Sequence, residues 1–209
     1  MASQNPDTLA NLPAGQFAYG FDAGGNRLTT ILDGSTTTIA YNALNQFTNV
    51  TGSSAAAIPL QTYSWDANDR LASIHYTGTS NQTLLTYDGR GCCVQAVEMT
   101  GATITSTRQF VWDGWFQVKE HDGTGATTKR FFGQGVQIVS GTPAGSYYYT
   151  GDHLGSIREM TDSTGTVRAL YDYDPSGPTK LAGDLDSDFG FTGLFAHAPS
   201  RLNMPTGPR

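Results

Sequence analysis

Apolar and polar positions alternate along much of this chain, and the alternation is strongest in the stretch 146–177. Aromatic and β-branched residues there fall at strand spacing on both sides of a turn at Asp162 to Gly165. Period-two alternation is typical of half-buried β-strands, and glycine at the end of a four-residue turn supplies a positive φ. The stretch predicts β-hairpins, with a second turn at 174–177 whose second position is proline.

The same arrangement recurs upstream as an internal repeat. An aromatic residue stands directly before Asp or Asn at intervals of roughly 20 to 25 residues, a period that holds two strands and two turns. Asp or Asn opening a turn can accept hydrogen bonds from the backbone that follows, and Gly or Asn can adopt the left-handed conformation. The pattern predicts stacked hairpins with an aromatic core, built around Phe21, Tyr41, Trp65, Tyr87 and Trp112.

The stretch 146–177 contains a series of short motifs in a fixed order. They are Tyr147 to Tyr149, Asp152 to Ser156, Arg158-Glu159, Asp162 to Gly165, and Tyr171 to Gly177. This series resembles the core motif of the bacterial RHS proteins, the tyrosine-aspartate (YD) repeat family, which is an aromatic run, Asp-His-Leu-Gly-Ser/Thr, a charged strand, an Asp-x-x-Gly turn and a Tyr-x-Tyr/Phe strand that ends in Gly. The resemblance extends over about residues 19–202.

The resemblance implies a fold, because larger family members wind such hairpins into a spiral sheet that closes as a hollow shell. We therefore predict an all-β chain of repeated antiparallel β-hairpins that form a curved or spiral sheet, either a partial RHS-type shell or a small open barrel. The expected organisation is a lead-in at 1–18, YD-type hairpin repeats at 19–145, the RHS core motif at 146–177, and a C-terminal strand with a frayed tail at 178–209. In this interpretation the chain stops before the family's self-cleavage site and toxin.

Composition and charge narrow the expected partners. The 209 residues include 25 glycines, which favours turns, and we predict no amphipathic helix of ordinary length. The formal net charge of -6 is spread without long like-charge runs, so we expect no nucleic-acid partner and no membrane partner. The first residues lack a secretory signal, which predicts a cytoplasmic location. Adjacent Cys92 and Cys93 should point to opposite strand faces as free thiols.

The best catalytic candidates lie in the core motif. Asp152 and His153 share a glycine-flanked bend, and Glu159 follows closely. A histidine oriented by a carboxylate can act as a general base. The alternative is that Asp152 and His153 only shape the bend. Ser156 lacks the strand-turn-helix context of a nucleophile, and His75, His121 and His197 are isolated in sequence.

A second candidate is the acidic segment with carboxylates at alternate positions, Asp184, Asp186 and Asp188. Such oxygens can surround Ca²⁺, although the glycine and the final glutamate of an EF-hand loop are missing. The segment predicts either a calcium site or a solvated acidic turn. A calcium site would matter for catalysis if the segment folded back onto the bend at Asp152.

Three functions remain open on the sequence. The first is a structural or interaction module of the RHS shell type that self-associates through open sheet edges. The alternative is a small metal-assisted hydrolase that uses Ca²⁺ on a compact ester or lactone. The third is carbohydrate binding on exposed aromatic rows.

Overall fold

The computed structural model describes residues 17–32, 34–52, 60–174 and 177–204. Most of the lead-in, residues 53–59, the two central residues of the turn at 174–177 and the last five residues of the tail lie outside the described residues. The chain divides into two compact units, residues 1–56 and 57–209, and each is described by itself.

The first unit is an antiparallel meander in which each strand pairs with the next. Ile39 and Val50 lie directly opposite each other on its last two strands and are both buried. The rings of Tyr41 and Phe47 pack with centroids 5.1 Å apart beside the turn that joins those strands. The strands are β1 (Phe17–Phe21), β2 (Arg27–Leu32), β3 (Ser35–Tyr41) and β4 (Phe47–Gly52).

The second unit continues the same design through twelve described strands, each antiparallel to the next in sequence. A single 3-10 turn at Phe191–Gly193 and a separate small hairpin follow them. The strands are β5 (Gln61–Trp65), β6 (Leu71–Tyr76), β7 (Asn81–Tyr87), β8 (Cys93–Thr100), β9 (Thr103–Asp113), β10 (Phe116–Asp122), β11 (Thr127–Phe132), β12 (Gly135–Ile138), β13 (Gly145–Gly151), β14 (Ile157–Asp162), β15 (Val167–Asp174), β16 (Gly177–Gly183), β17 (Phe195–His197) and β18 (Leu202–Met204).

These elements confirm the prediction of an all-β fold made of repeated antiparallel hairpins. The tail differs from expectation at its start, because Met204 is buried in β18, where it pairs with Phe195. Arg201 adopts a positive φ of 56° in the turn between β17 and β18. No helix in the described residues is long and apolar enough to cross a membrane.

Among the described residues, seven turns share one hydrogen-bonding scheme, which is the one that the repeat predicts. The side-chain Oδ1 of the first residue accepts the backbone N–H groups two and four residues later, at 2.8 to 3.1 Å. The residue three positions on has a positive φ between 60° and 88°. The first residues are Asp22, Asn42, Asp66, Asp88, Asp122, Asp152 and Asp162.

The fifth repeat departs from the scheme. Phe116 pairs with Asp113 across a tight β9–β10 hairpin, and Gly114 takes a positive φ of 58°. The same carboxylate scheme appears instead at the opposite end of β10, where Asp122 binds the N–H groups of Thr124 and Ala126. Turn chemistry is therefore local to each Asp, whereas the position of that Asp in the repeat is free to change.

The core of the second unit lies on one face of its sheet. Val136 faces Tyr147 across β12 and β13, and Met160 faces Ala169 across β14 and β15, all four buried. Leu185, which follows β16, packs against this cluster. The chain from Leu185 to Met204, which we call the covering segment, then crosses the same face of the sheet.

The turn carboxylates make the stability of the folded state depend on pH. Burial alone would raise the pKa of Asp88, but hydrogen bonds from Cys92 and Arg90 outweigh it and hold the pKa below its ordinary value. A lowered folded-state pKa contributes stability above the unfolded pKa of about 3.9, and this contribution is lost as the pH falls through the folded value. We expect Asp88→Asn, which keeps the accepting oxygen, to lower the melting temperature at neutral pH, and we expect its difference from the parent protein to shrink as the pH falls below the unfolded pKa and through the lowered folded pKa of Asp88.

The comparison variant is Asp88→Ala, which leaves both N–H groups without their acceptor. Its melting temperature should fall at every pH, because the lost acceptor does not titrate. Thermal melts followed by circular dichroism across acid pH measure both variants. A constant difference between parent and Asp88→Asn over that range would contradict the carboxylate's role.

Candidate functional site

The structure uses Asp152 to hold the bend. Its Oδ1 accepts the N–H groups of Leu154 and Ser156 at 2.9 and 3.0 Å. Burial alone would raise its pKa, yet these hydrogen bonds leave the pKa below its ordinary value. His153 is exposed on the same turn, and Glu159 lies on β14, where it accepts a 3.3 Å hydrogen bond from Thr150. Asp152 therefore shapes the bend, and a catalytic role for Asp152, His153 and Glu159 stays a prediction.

The three carboxylates of the acidic segment do not converge. Asp184 forms a two-pronged pair with Arg168 at 2.8 and 2.6 Å, and Asp186 binds Lys180 at 2.9 Å. Asp188 turns inward to a different set of cations. Within the described residues no three His, Cys, Asp or Glu side chains are grouped to hold a metal ion. Calcium binding stays a prediction, and each of its three proposed ligands has a cation of its own.

Asp188 is the centre of a buried ion network that sequence reasoning missed. Lys129 Nζ on β11 binds its two oxygens at 2.6 and 2.8 Å, and Arg108 Nη2 on β9 binds Oδ1 at 2.8 Å. The Arg108 guanidinium also donates to Glu120 on β10. Thr128 donates to the other Glu120 oxygen at 3.0 Å. Two carboxylates thus face two cations, and the network has no excess charge.

Aromatic rings complete the surroundings of Arg108. Its guanidinium carbon lies 4.9 Å from the ring centroid of Phe195 and 5.4 Å from that of Phe110. Burial disfavours the charged form of Arg108, but Asp188 and Glu120 outweigh that effect and raise its pKa above the ordinary value. Phe195 belongs to the covering segment, so the network and the rings fasten that segment to β9.

A second polar chain fastens the far end of the covering segment. His197 Nδ1 lies 2.7 Å from Ser200 Oγ, and His197 Nε2 lies 2.8 Å from Glu98 Oε1 on β8. Thr83 donates to the other Glu98 oxygen at 2.6 Å. Gln61 on β5 donates to the Ser200 carbonyl at 3.0 Å. His197 was isolated in sequence because Glu98 lies 99 residues away, and no local spacing predicts their contact.

Serine, histidine and glutamate in this order have the residue types of a nucleophilic triad. Their position decides otherwise, because Ser200 is 0% exposed and His197 is 1% exposed. The Glu98 carboxylate on Nε2 and the Ser200 hydroxyl on Nδ1 occupy both ring nitrogens of His197. The Ser200–His197–Glu98 contacts hold the covering segment on the sheet, and the Ser200 hydroxyl is not accessible to a substrate.

The bend at Asp152 contacts residues 190–192 of the covering segment, and not the acidic segment 184–188 that the sequence suggested. Thr192 donates its N–H to Ser156 Oγ at 3.1 Å, and Ile157 donates to the Gly190 carbonyl at 3.2 Å. The Phe191 ring packs on Tyr173 with centroids 5.8 Å apart. Uncharged backbone groups of the covering segment therefore contact the bend. The carboxylates of residues 184–188 bind cations on other strands.

The two cysteines are free and buried. Burial raises the pKa of the Cys93 thiol to about 11, and burial also raises that of Cys92. A raised thiol pKa lowers the thiolate fraction at neutral pH, so neither sulfur is activated as a nucleophile.

No protein-family model matches this chain. Curated relatives do: the tRNA3(Ser)-specific nuclease WapA of Bacillus spizizenii is 31% identical over 180 residues, and the tRNA nuclease WapA of Bacillus subtilis is 32% identical over 180 residues. Each alignment covers 78% of this chain and 8% of the relative. The chain therefore spans about 8% of the length of these relatives.

Solved structures share the fold at a TM-score of 0.50. They include TcdB2-TccC3 without its hypervariable C-terminal region, at 17% identity, and the Photorhabdus luminescens Tc holotoxin pore, at 13% identity. The match covers 90% of this chain in both cases, and 12% and 14% of those chains respectively. At such identities the likeness establishes the fold alone.

The fold and its turns define a hairpin-repeat protein. Together with the WapA matches, they show that the chain belongs to the RHS, or YD-repeat, family. The relatives are named for acting on tRNA, which overturns the exclusion of nucleic acid. That exclusion was wrong because net charge sums over the whole chain and does not describe a local surface.

The buried network predicts unequal effects for two carboxylates that are two residues apart. Asp188 is 7% exposed and bridges two cations, whereas the Asp186 side chain is 76% exposed. We expect Asp188→Asn to lower the free energy of unfolding by about 3 kcal/mol, because it removes the buried carboxylate charge that faces Lys129 and Arg108. Asp186→Asn should cost about 0 to 1 kcal/mol. Urea denaturation measures both, and equal losses would contradict the network's importance.

Proposed function

We propose that this chain is a structural module, a wall of stacked hairpins of the RHS shell type, and that it does not itself carry the nuclease activity for which its relatives are named. The carrying observation is that the covering segment closes one face of the sheet with the chain's own charged and aromatic groups. Such a face is already filled, and the residues that fill it are oriented toward each other.

The way in which the covering segment ties distant strands together supports this role. It bonds to β5 through Gln61, to β8 through Glu98, and to β11 through Lys129. Repeat arrays otherwise contact mainly their nearest neighbours, so their stability is a sum of adjacent interfaces. Because the covering segment contacts several strands at once, it couples their stability, as expected of a structural module.

The fate of the polar candidates supports the same role. Hydrolysis of a phosphodiester needs a general acid and base or metal ions at an accessible point. Here Asp152 binds its own turn, Asp188 is buried between cations, and His197 is closed between Ser200 and Glu98. In this proposal these groups stabilise the wall.

The proposal is tested by incubating the purified chain with total tRNA and resolving the products on a denaturing gel. We expect no cleavage above the background seen without protein. Cleavage that disappears in Asp152→Asn or His153→Gln would contradict a purely structural role. It would also restore the catalytic interpretation of the bend.

If the covering segment holds the strands together, substitution of two of its phenylalanines, Phe191 and Phe195, should have different effects on stability. Phe195 is 1% exposed and packs on Phe110 at 5.3 Å, whereas Phe191 is 44% exposed. We expect Phe195→Ala to cost about 3 to 5 kcal/mol and to speed amide hydrogen exchange in β8 to β10. Phe191→Ala, the matched control, should leave exchange in those strands unchanged. Equal exchange in both variants would argue against this role of the covering segment.

A further inference from the structure

The face of the second unit's sheet opposite the covering segment carries two ordered rows of side chains. Lys129 and Phe131 on β11 contact the covering segment, so the alternating residues Arg130 and Phe132 project to the other, outer face. Strand register aligns a polar row, Lys119, Arg130, Gln137 and Ser146, across β10 to β13. It aligns a second row, Phe132, Gly135 and Tyr148, across β11 to β13.

The polar row holds two cations side by side. Lys119 and Arg130 are exposed and lie directly opposite each other on β10 and β11. Like charges in this position repel and destabilise a sheet. Arg130 donates to Gln137 Oε1 at 3.2 Å, and in the described ranges neither cation forms an ion pair with a carboxylate. A chain of net charge -6 thus keeps an uncompensated positive site here.

The second row is aromatic and open. Phe132 is 43% exposed and Tyr148 is 45% exposed, and their rings meet edge to face with centroids 5.8 Å apart. They meet over Gly135, where an added Cβ would lie 2.7 Å from Phe132 Cζ and 2.1 Å from the Tyr147 carbonyl oxygen. A glycine between the strands therefore lets the two rings form one continuous apolar surface.

We propose that these two rows form a binding site for single-stranded nucleic acid. Arg130 and Phe132 are two residues apart on one strand, about 7 Å along the outer face. Lys119 and Arg130 bind consecutive phosphates, and unpaired bases stack on Phe132 and Tyr148. Cations that follow the backbone beside exposed aromatic rings are the arrangement that binds single strands.

The aromatic row selects this partner over other polyanions. An acidic peptide or a polyphosphate neutralises Lys119 and Arg130 but places no flat ring on Phe132 and Tyr148. A duplex presents phosphates but keeps its bases stacked inside, where the aromatic row does not reach them. Of these four partners, the unpaired strand is the one that supplies both phosphates and free base faces to the two rows.

Fluorescence anisotropy with fluorescein-labelled oligouridylate and oligothymidylate tests the site on the full chain. We expect at least one of the two oligonucleotides to bind, with an affinity that falls as the salt concentration rises. Lys119→Gln with Arg130→Gln should weaken binding and reduce the magnitude of the salt slope by about 1.4, because each phosphate contact on a single strand contributes about 0.7. Phe132→Leu and Tyr148→Leu should each weaken binding by roughly tenfold.

Two further variants separate the site from charge and folding. Arg90→Gln with Arg201→Gln makes the same change in net charge outside the two rows and should keep the parent affinity. Lys119→Glu places an acid opposite Arg130, so the fold should remain as stable as the parent while binding is lost. Absence of binding by the parent, equal weakening by the two double variants, or competition by inorganic polyphosphate as strong as that by unlabelled oligouridylate would each overturn the proposal.

Discussion

The burial of the Asp188 carboxylate is the constraint on which the second unit depends. A buried charge is costly unless it is paired, and Asp188 is paired by Arg108 and Lys129 from two different strands. Glu120 balances the second cation, so two buried carboxylates face two partly buried cations. The covering segment therefore has one position in which its charge is satisfied, and sliding it along the sheet by one residue would break the network.

Contacts between residues close in sequence and contacts between distant residues stabilise different parts of this fold. Seven of the described turns are each closed by an Asp or Asn side chain of their own, through contacts within five residues. The sheet face is closed by a segment whose partners lie far away in sequence, as with His197 and Glu98. Local turns shape the array, and distant polar contacts unite it. This division accounts for why a histidine, a serine and a glutamate meet without an accessible nucleophile.

The two faces of the sheet use aromatic residues differently. On the covered face, Phe110 and Phe195 pack around Arg108, whose charge is met by carboxylates. On the outer face, Phe132 and Tyr148 stay exposed beside cations that lack such partners. The same residue types thus build a core on one side and leave an open, positively charged strip on the other. Strand alternation alone assigns residues to faces but does not say which face is covered.

The sequence by itself determined the hairpins, the turns that begin at Asp22, Asn42, Asp66 and Asp88, and the left-handed position three residues later, because these depend on contacts within five residues. It also determined the family, through the motif around Asp152 to Gly165. Only the tertiary structure decided that Asp184, Asp186 and Asp188 part to separate cations and that His197 reaches Glu98. Those pairings join residues up to 99 positions apart. They depend on the path of the covering segment across the sheet, which no local pattern encodes.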